Sequence, residues 1–227
     1  MTRDDPRPTP SEPLAGFTHR FIPAGSGGPD PGFALLLLHG TGGDENDLLQ
    51  LGTMLAPGAA LLSPRGRVLE SGMPRFFRRL REGVFDVPDL KARAAELAAF
   101  LAEARTTYSL AGRPLVAVGF SNGANIAGGL LFAHPGALDG AALLRPMVPY
   151  EPEAPPRLPG VPVLIAAGDS DPYGGLEEIR RLEAMLAAAG ARVTVHRERA
   201  GHNLTQGDVT AAREWLKQEF GSGSGKR

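Results

Sequence analysis

The stretch LVAVGFSNG, residues 115–123, decides the fold of this 227-residue chain. Its apolar first half predicts a buried strand over 115–118, and the residues after it predict a helix over 122–132. Between them lies Gly119-Phe120-Ser121-Asn122-Gly123, a pattern that is weak alone but is typical of a nucleophile elbow when a strand precedes it and a helix follows. The glycines there let the strand and the helix pack closely around a strained serine. We therefore predict that Ser121 is a nucleophile; the alternative is a glycine-rich turn with an inert serine.

The rest of the chain alternates short apolar runs with longer helical patterns, which is typical of a mostly parallel sheet covered by helices. Further strands are predicted at 34–38, 60–62, 141–144, 163–167 and 193–196, with an antiparallel edge strand at 17–22. Further helices are predicted at 90–101, 176–189 and 209–220, where apolar residues recur at helical spacing. Together with the elbow, this order predicts the α/β-hydrolase fold.

A serine hydroxyl attacks a carbonyl only when a base takes its proton, and the chain offers five histidines. His202 is the one predicted in a loop between the last strand and the last helix, where functional groups of doubly wound sheets gather. The imidazole in turn needs a carboxylate, and Asp169 and Asp171 both follow the strand predicted at 163–167. We predict Asp171, because Pro172 stiffens the next turn and the extra residues give reach towards His202. Spacing alone leaves Asp169 as the alternative.

The tetrahedral intermediate of acyl transfer also needs hydrogen-bond donors for its oxyanion. One predicted donor is the backbone N–H of Asn122, directly after the nucleophile. The other is the N–H of Thr41, in the loop His39-Gly40-Thr41-Gly42-Gly43 that follows an early strand. We expect His39 to order this loop through hydrogen bonds.

Three acidic residues follow that loop and resemble a metal cluster: Asp44, Glu45 and Asp47. We interpret them instead as acidic residues in the first turn of a helix, where the helix dipole favours negative charge. The glycines before them lack the lysine of a phosphate-binding loop and the spacing of a dinucleotide-binding loop. No metal site is therefore predicted.

The composition of the chain excludes several kinds of binding partner and of chemical site. The net charge of −1 gives no attraction to nucleic acid or to anionic lipid, and 42% hydrophobic residues suffice for a substantial core. Because the chain has no cysteine, a thiol nucleophile, a disulfide framework and a cysteine-bound zinc are excluded. Arginines do cluster, but acidic residues follow them, so we interpret the cluster as a solvated face. Its members are Arg75, Arg78, Arg79 and Arg81.

Length favours one large α/β domain, predicted over residues 15–220. Residues 1–14 are predicted to form a flexible tail, and residues 221–227 a flexible tail or linker. No secretory signal is visible near the N-terminus, and the longest aliphatic run, at 33–38, is too short to cross a bilayer. We therefore expect a cytoplasmic protein without a membrane span; a homodimer is left open.

With these residues in hand, the chain resembles the phospholipase/carboxylesterase family of α/β-hydrolases, and most closely its bacterial branch of hydroquinone-resistance-linked hydrolases. The likeness runs over residues 17–220. The matching stretches are LLLLHGTGGDENDLL (35–49), LLSPRGRVLESGMPRFFRRL (61–80), GFSNGANIA (119–127), LLRPMVPYEP (143–152), GDSDP (168–172) and AGHNLT (200–205).

The resemblance implies a cofactor-free esterase or thioesterase with a small lid or none, and it supports Asp171 as the acid. Related proteins usually continue after that aspartate and its proline with two β-branched residues and a further proline, whereas Tyr173-Gly174-Gly175 stands here. Family thioesterases commonly carry Gln after the nucleophile, whereas this chain has Asn122. A protein thioester is therefore not carried over as the substrate.

We expect a carboxylesterase acting on small acyl or aromatic esters through an acyl-enzyme intermediate. Four apolar residues are candidates for the substrate pocket, each with ordinary core packing as the alternative: Phe76, Phe77, Met147 and Val148. The competing functions are a thioesterase or lysophospholipase, a peptidase or acyltransferase, and a non-catalytic binding protein on a hydrolase scaffold.

Overall fold

A seven-stranded sheet lies at the centre of the computed structural model, which describes residues 13–221. The strands in chain order are β1 (His19–Ile22), β2 (Ala34–Leu38), β3 (Ala60–Pro64), β4 (Val68–Glu70), β5 (Met73–Arg75), β6 (Arg79–Arg81), β7 (Val84–Phe85), β8 (Leu115–Phe120), β9 (Gly140–Leu144), β10 (Pro162–Gly168) and β11 (Arg192–Glu198). The central sheet has the order β1-β3-β2-β8-β9-β10-β11, in which β1 is antiparallel to β3 and the other neighbours are parallel. The predicted mostly parallel sheet is confirmed.

Helices cover both faces of this sheet. Those in the described part of the chain are α1 (Leu49–Leu55), α2 (Val87–Thr107), α3 (Asn122–Ala133), α4 (Leu176–Ala188) and α5 (Gln206–Phe220). The side chains of β2 alternate between the two layers: Leu36 and Leu38 share a core with α2, α3 and α4, whereas Leu35 and Leu37 share one with α1 and α5. A strand that is buried on both faces reads as a continuous apolar run, which is why these strands were predictable.

The loops at the carboxyl edge of the sheet carry the polar residues that matter for function. Ser121 directly follows β8, Arg145 directly follows β9, and Asp171 comes three residues after β10. His202 lies between β11 and α5. Because parallel strands end at the same edge, residues that are far apart in the chain meet there.

The irregular segment at 63–88 contains two short hairpins. In the first, β4 pairs with β5, and in the second, β6 pairs with β7. Their strands are only two or three residues long, and the segment around them is rich in arginine and glycine. They therefore show no apolar alternation from which a strand could be predicted. The second hairpin reaches the carboxyl edge of the sheet through Arg79 and Phe85.

The acidic residues after the early glycine loop do not start a helix, so that interpretation was wrong. Helix α1 begins at Leu49 and has no acidic residue in its first turn. Glu45 is buried and accepts two hydrogen bonds from Arg65, at 2.5 and 2.8 Å, while Asp44 accepts one from the backbone N–H of Asn46. No group of three potential metal ligands occurs among residues 13–221.

Both ends of the chain fall largely outside this description. Residues 1–12 and 222–227 lie outside the described residues, and with them nearly all of the two tails that the sequence predicts. Within residues 13–221, no helix combines the length and the apolar character needed to cross a membrane.

Candidate active site

Ser121 occupies a strained turn between β8 and α3. Its backbone has φ 52° and ψ −113°, a conformation that costs a non-glycine residue about 1–3 kcal/mol. The glycines on either side are required by space: a Cβ on Gly119 would overlap the carbonyl oxygen of Gly123, and a Cβ on Gly123 would overlap that of Leu38. The Gly119-Phe120-Ser121-Asn122-Gly123 pattern therefore has the predicted strand–turn–helix setting.

Three side chains form a continuous hydrogen-bonded chain at this edge of the sheet. The Ser121 Oγ lies 2.8 Å from His202 Nε2, and His202 Nδ1 lies 2.8 Å from Asp171 Oδ2. Because an ionised carboxylate can only accept, Nδ1 carries the proton and Nε2 is left to accept from the serine hydroxyl. The structure thus brings together the serine, the histidine and the preferred aspartate that the sequence singles out.

The two aspartates after β10 have different surroundings. The Asp171 side chain is 1% exposed, and its second oxygen accepts from the backbone N–H groups of Tyr173 and Gly174 at 2.9 and 3.4 Å. Asp169 is 38% exposed and pairs with Arg197 at 2.6 Å on the neighbouring strand. Only Asp171 of the two is hydrogen-bonded to His202, so the geometry favours Asp171 over Asp169.

The loop that carries His202 is fixed by Arg145, a residue that the sequence analysis did not single out. The Arg145 guanidinium is fully buried and uses all five of its N–H groups. Nε donates to the carbonyl of Gly201 at 3.0 Å and Nη2 to that of Asn203 at 2.9 Å, so the two residues flanking His202 are both held. The sequence signal for Arg145 is the presence of a charged residue directly after a buried strand.

The remaining Arg145 donors bind the carboxylate of Asp208 at 2.6 and 2.9 Å and the carbonyl of Ala166 at 3.1 Å. Asp208 also closes a capping box with Thr205 at the start of α5. Burial alone would raise the pKa of Asp208, but the hydrogen bonds from Arg145 and Thr205 outweigh it and hold that pKa below its usual value. The His202 loop is therefore held between β9 and α5 by a buried ion pair.

The two residues predicted to bind an oxyanion lie beside the serine. Thr41 and Asn122 both line the same cavity as Ser121. Asn122 opens α3, and the first N–H groups of a helix have no acceptor within the helix. The side chain of Thr41 accepts from Arg75 Nη1 at 2.7 Å, and that of Asn122 accepts from the backbone N–H of Phe76 at 2.7 Å. Their role as oxyanion donors stays a prediction.

His39 orders the loop before Thr41, as predicted. Its Nδ1 donates to the carbonyl of Gly40 at 2.7 Å, and its Nε2 accepts from the backbone N–H of Gly66 at 2.9 Å. Burial lowers the pKa of His39, which favours the neutral ring that this pair of hydrogen bonds requires.

The cavity beside Ser121 has a volume of about 230 Å³ and corrects the predicted pocket. Of the four apolar candidates, only Met147 lines it. Phe77 packs in the core edge-on against Phe85 at 5.0 Å, Phe76 packs against His39, and Val148 is buried in the same core. The sequence could not show that both adjacent phenylalanines of the irregular segment turn inward. The aromatic residues that face the cavity are instead Phe85, Phe120 and Tyr173.

Arg75 corrects the expectation of a solvated arginine face. It is 3% exposed, lines the cavity, and lies 3.1 Å from Glu70 through Nε. Arg79 also lines the cavity and contacts the same carboxylate at 2.8 Å. Burial lowers the pKa of the Arg75 guanidinium. Arg78 and Arg81 are exposed, as the sequence predicts, and Arg78 pairs with Asp86 at the surface.

A mostly parallel sheet with a strained serine after a central strand, hydrogen-bonded to a histidine from a later loop, defines the α/β-hydrolase class. No family model matches the chain. It is 50% identical over 184 residues to MhqD of Bacillus subtilis (strain 168), whose name assigns it to the hydrolases; the match covers 81% of this chain and 92% of that protein. The chain belongs to the phospholipase/carboxylesterase family.

Solved structures agree with this assignment. A carboxylesterase of Bacillus cereus superposes with a TM-score of 0.85 at 48% identity, covering 89% of this chain and 94% of that one. A carboxylesterase of Mesorhizobium loti gives a TM-score of 0.85 at 34% identity, covering 92% and 98%. The chain is therefore a hydrolase of the carboxylesterase type with the α/β-hydrolase fold.

Proposed function

We propose that this hydrolase is a serine esterase in which Ser121, His202 and Asp171 act as a catalytic triad on small acyl or aromatic esters. The observation that carries the proposal is the hydrogen bond from the Ser121 hydroxyl to His202 Nε2, which continues through the ring to Asp171. That arrangement gives the serine a base at hydrogen-bonding distance and gives the base a partner that fixes its tautomer.

In the proposed reaction, Ser121 Oγ attacks the ester carbonyl carbon while its proton passes to His202 Nε2. The carbonyl oxygen becomes an oxyanion, which the backbone N–H groups of Thr41 and Asn122 stabilise. The C–O bond to the alcohol then breaks, and the alcohol leaves with the proton from His202. A water molecule, deprotonated by the same ring, attacks the acyl-enzyme, and the serine recovers its proton as the acid is released. Asp171 stays ionised throughout and stabilises the imidazolium.

The cavity supports a small substrate. A volume of about 230 Å³ lies below the range typical of pockets for drug-sized ligands. The apolar lining contributed by Met147, Phe85 and Phe120 suits a short acyl chain or an aromatic ring. We therefore expect kcat/KM to be highest for the shortest acyl chains in a series of esters and thioesters of increasing acyl length.

The decisive test is Ser121→Ala, assayed with a chromogenic short-chain ester and with a fluorophosphonate label. We expect kcat to fall by a factor of at least about 10³ and labelling to disappear, because the attacking oxygen is gone. The circular dichroism spectrum should stay unchanged. The matched control is Ser170→Ala, an exposed serine after β10, which should keep both activities. Retained turnover in folded Ser121→Ala would remove Ser121 from the mechanism. A folded wild type that hydrolyses no ester and takes up no label would favour a binding protein on a hydrolase scaffold.

A further inference from the structure

The charged side chains that line the cavity beside Ser121 are positive rather than negative. The charged or titratable side chains that line it, among the described residues, are Tyr173, His202 and three arginines: Arg75, Arg79 and Arg145. No carboxylate belongs to this lining; Asp171 lies behind the His202 ring, and Glu70 lies behind the arginines. A cavity lined by one sign of charge attracts ligands of the opposite sign.

The three arginines are not equivalent. Arg145 is neutralised by Asp208 and has no donor left, since its five N–H groups already bind protein acceptors. Arg75 and Arg79 instead share the single carboxylate of Glu70, at 3.1 and 2.8 Å. Two positive charges are thus opposed by one negative charge, which leaves an excess of one positive charge at this wall of the cavity.

Donors remain available on both of these side chains. Arg75 donates through Nε to the carbonyl of Phe77 and through Nη1 to Thr41, and none of the hydrogen bonds among residues 13–221 uses its Nη2. Arg79 contacts Glu70 through Nε and Nη2, which leaves Nη1, and its side chain is 27% exposed. A carboxylate matches the geometry of a guanidinium, because two parallel N–H groups can meet its two oxygens.

The position of Arg75 relates this charge to the reacting group. Its Nη1 lies 2.7 Å from Oγ1 of Thr41, whose backbone N–H is the proposed oxyanion donor. Arg75 therefore contacts the residue that carries a proposed oxyanion donor, and both arginines line the same cavity as Ser121. Other charges near the wall are Glu82, which accepts a hydrogen bond from the Tyr173 hydroxyl at 2.6 Å, and Arg81, which is exposed and does not line the cavity.

We propose that the preferred substrates are small esters that carry a free carboxylate, bound by Arg79 and Arg75 while Ser121 attacks the ester group. This inference rests on the proposed function, since it names the substrate class of the same site. Because the Arg75 guanidinium is buried, it has lost most of its hydration, and a bound carboxylate compensates for that loss with charge and hydrogen bonds.

The test compares matched esters that differ in one charge. On the acyl side, monoethyl succinate is compared with ethyl butyrate; on the alcohol side, 4-acetoxybenzoate is compared with its methyl ester. For the wild type we expect a kcat/KM ratio of acidic to neutral ester above about 10 in at least one pair, because a charge-assisted bidentate contact is formed only by the acid. The ratio should fall as ionic strength rises from about 0.02 to 0.5 M, since salt screens the attraction.

Arg79→Gln should lower that ratio about tenfold or more, whereas Arg81→Gln on the same strand should leave it unchanged. If Arg79→Gln does not fold, the wild-type ratio and its salt dependence decide alone. A ratio near one in both pairs, or one that Arg79→Gln leaves intact, overturns the inference while Ser121-dependent hydrolysis of neutral esters leaves the proposed function standing. Absence of Ser121-dependent hydrolysis for all four esters overturns both.

Discussion

Removal of the Arg145 guanidinium is the sharpest test of how the His202 loop is held. In Arg145→Met, the carboxylate of Asp208 loses both of its contacts with the guanidinium, at 2.6 and 2.9 Å, in a place where the two side chains are at most 1% exposed. Breaking a buried pair by removing one partner costs about 3–5 kcal/mol, because the other charge stays buried. Asp208 keeps its hydrogen bonds from Thr205, so we expect the lower half of that range.

The free energy of unfolding is measured from urea titrations of the wild type and the variant. The matched control is Arg180→Met, whose ion pair with Glu177 is exposed at the surface and should contribute less than about 1 kcal/mol. In the double variant Arg145→Met/Asp208→Asn, part of the loss should be recovered, since the buried charge is removed with its partner. A loss below about 1 kcal/mol for Arg145→Met would refute the view that this ion pair holds the loop.

The pH dependence supplies an independent check. The folded-state pKa of Asp208 is held below its unfolded value, so its contribution is fully present above the unfolded pKa of about 3.9 and is lost as the pH falls through the folded pKa. Without Arg145 the buried carboxylate takes up its proton more readily, so the stability difference between wild type and Arg145→Met should be largest near neutral pH and should shrink as the pH falls towards the folded pKa of Asp208. A difference that grows on acidification would contradict the assignment.

The other predictions concern the elbow and the surface. Gly123→Ala should yield little folded protein, because the new Cβ overlaps the carbonyl oxygen of Leu38, whereas Gly175→Ala should fold normally because nothing lies within 4 Å of its Cβ; soluble yield and thermal unfolding of the pair distinguish them. Arg113→Ala should cost at most about 1 kcal/mol, since its partner Asp30 is 37% exposed despite a pKa of about 2. That small loss should disappear as the pH falls from about 4 to 2, where Asp30 takes up its proton, which urea titrations at several pH values can detect.

Much of the fold was predictable because the central strands are buried on both faces. Runs such as the one at 34–38 leave no polar position, and the predicted bounds of each strand of the central sheet lie within two residues of the observed ones. Apolar spacing predicts a start of α5 at 209, three residues after the observed start at Gln206. The first turn there is specified by the Thr205–Asp208 capping box and not by apolar residues, so hydrophobic spacing missed it.

The serine, histidine and aspartate could be proposed for a related reason. Each follows a strand that the sequence predicts, and parallel topology alone brings the carboxyl ends of such strands to one edge of the sheet. Both Asp169 and Asp171 satisfy that rule, and only the structure shows which carboxylate is turned towards the imidazole ring.

The cavity wall could not be predicted, because it comes from a segment without periodic pattern. Phe76 and Phe77 are adjacent and equally apolar, and both are buried in the core shared with α2 and α3 because of how the segment with the two short hairpins folds. Arginine is typical of protein surfaces, but the charge of Arg75 is buried because Glu70 of the same hairpin and Thr41 of a distant loop supply its partners. Neither contact follows a periodic pattern that a sequence could reveal.

Backbone strain at the ends of two neighbouring strands connects these observations. Ser121 and Arg145 both have positive φ, 52° and 55°, directly after β8 and β9. In each case sheet hydrogen bonding continues to the strained residue itself, since Ser121 N–H donates to the carbonyl of Leu144 at 2.9 Å and Arg145 N–H to that of Ala166 at 2.8 Å. Each conformation costs about 1–3 kcal/mol and persists only where the surroundings enforce it. One strained residue presents the proposed nucleophile and the other holds the loop of its base, so the adjoining strands β8 and β9 fix the hydroxyl and the imidazole relative to each other before any substrate is bound.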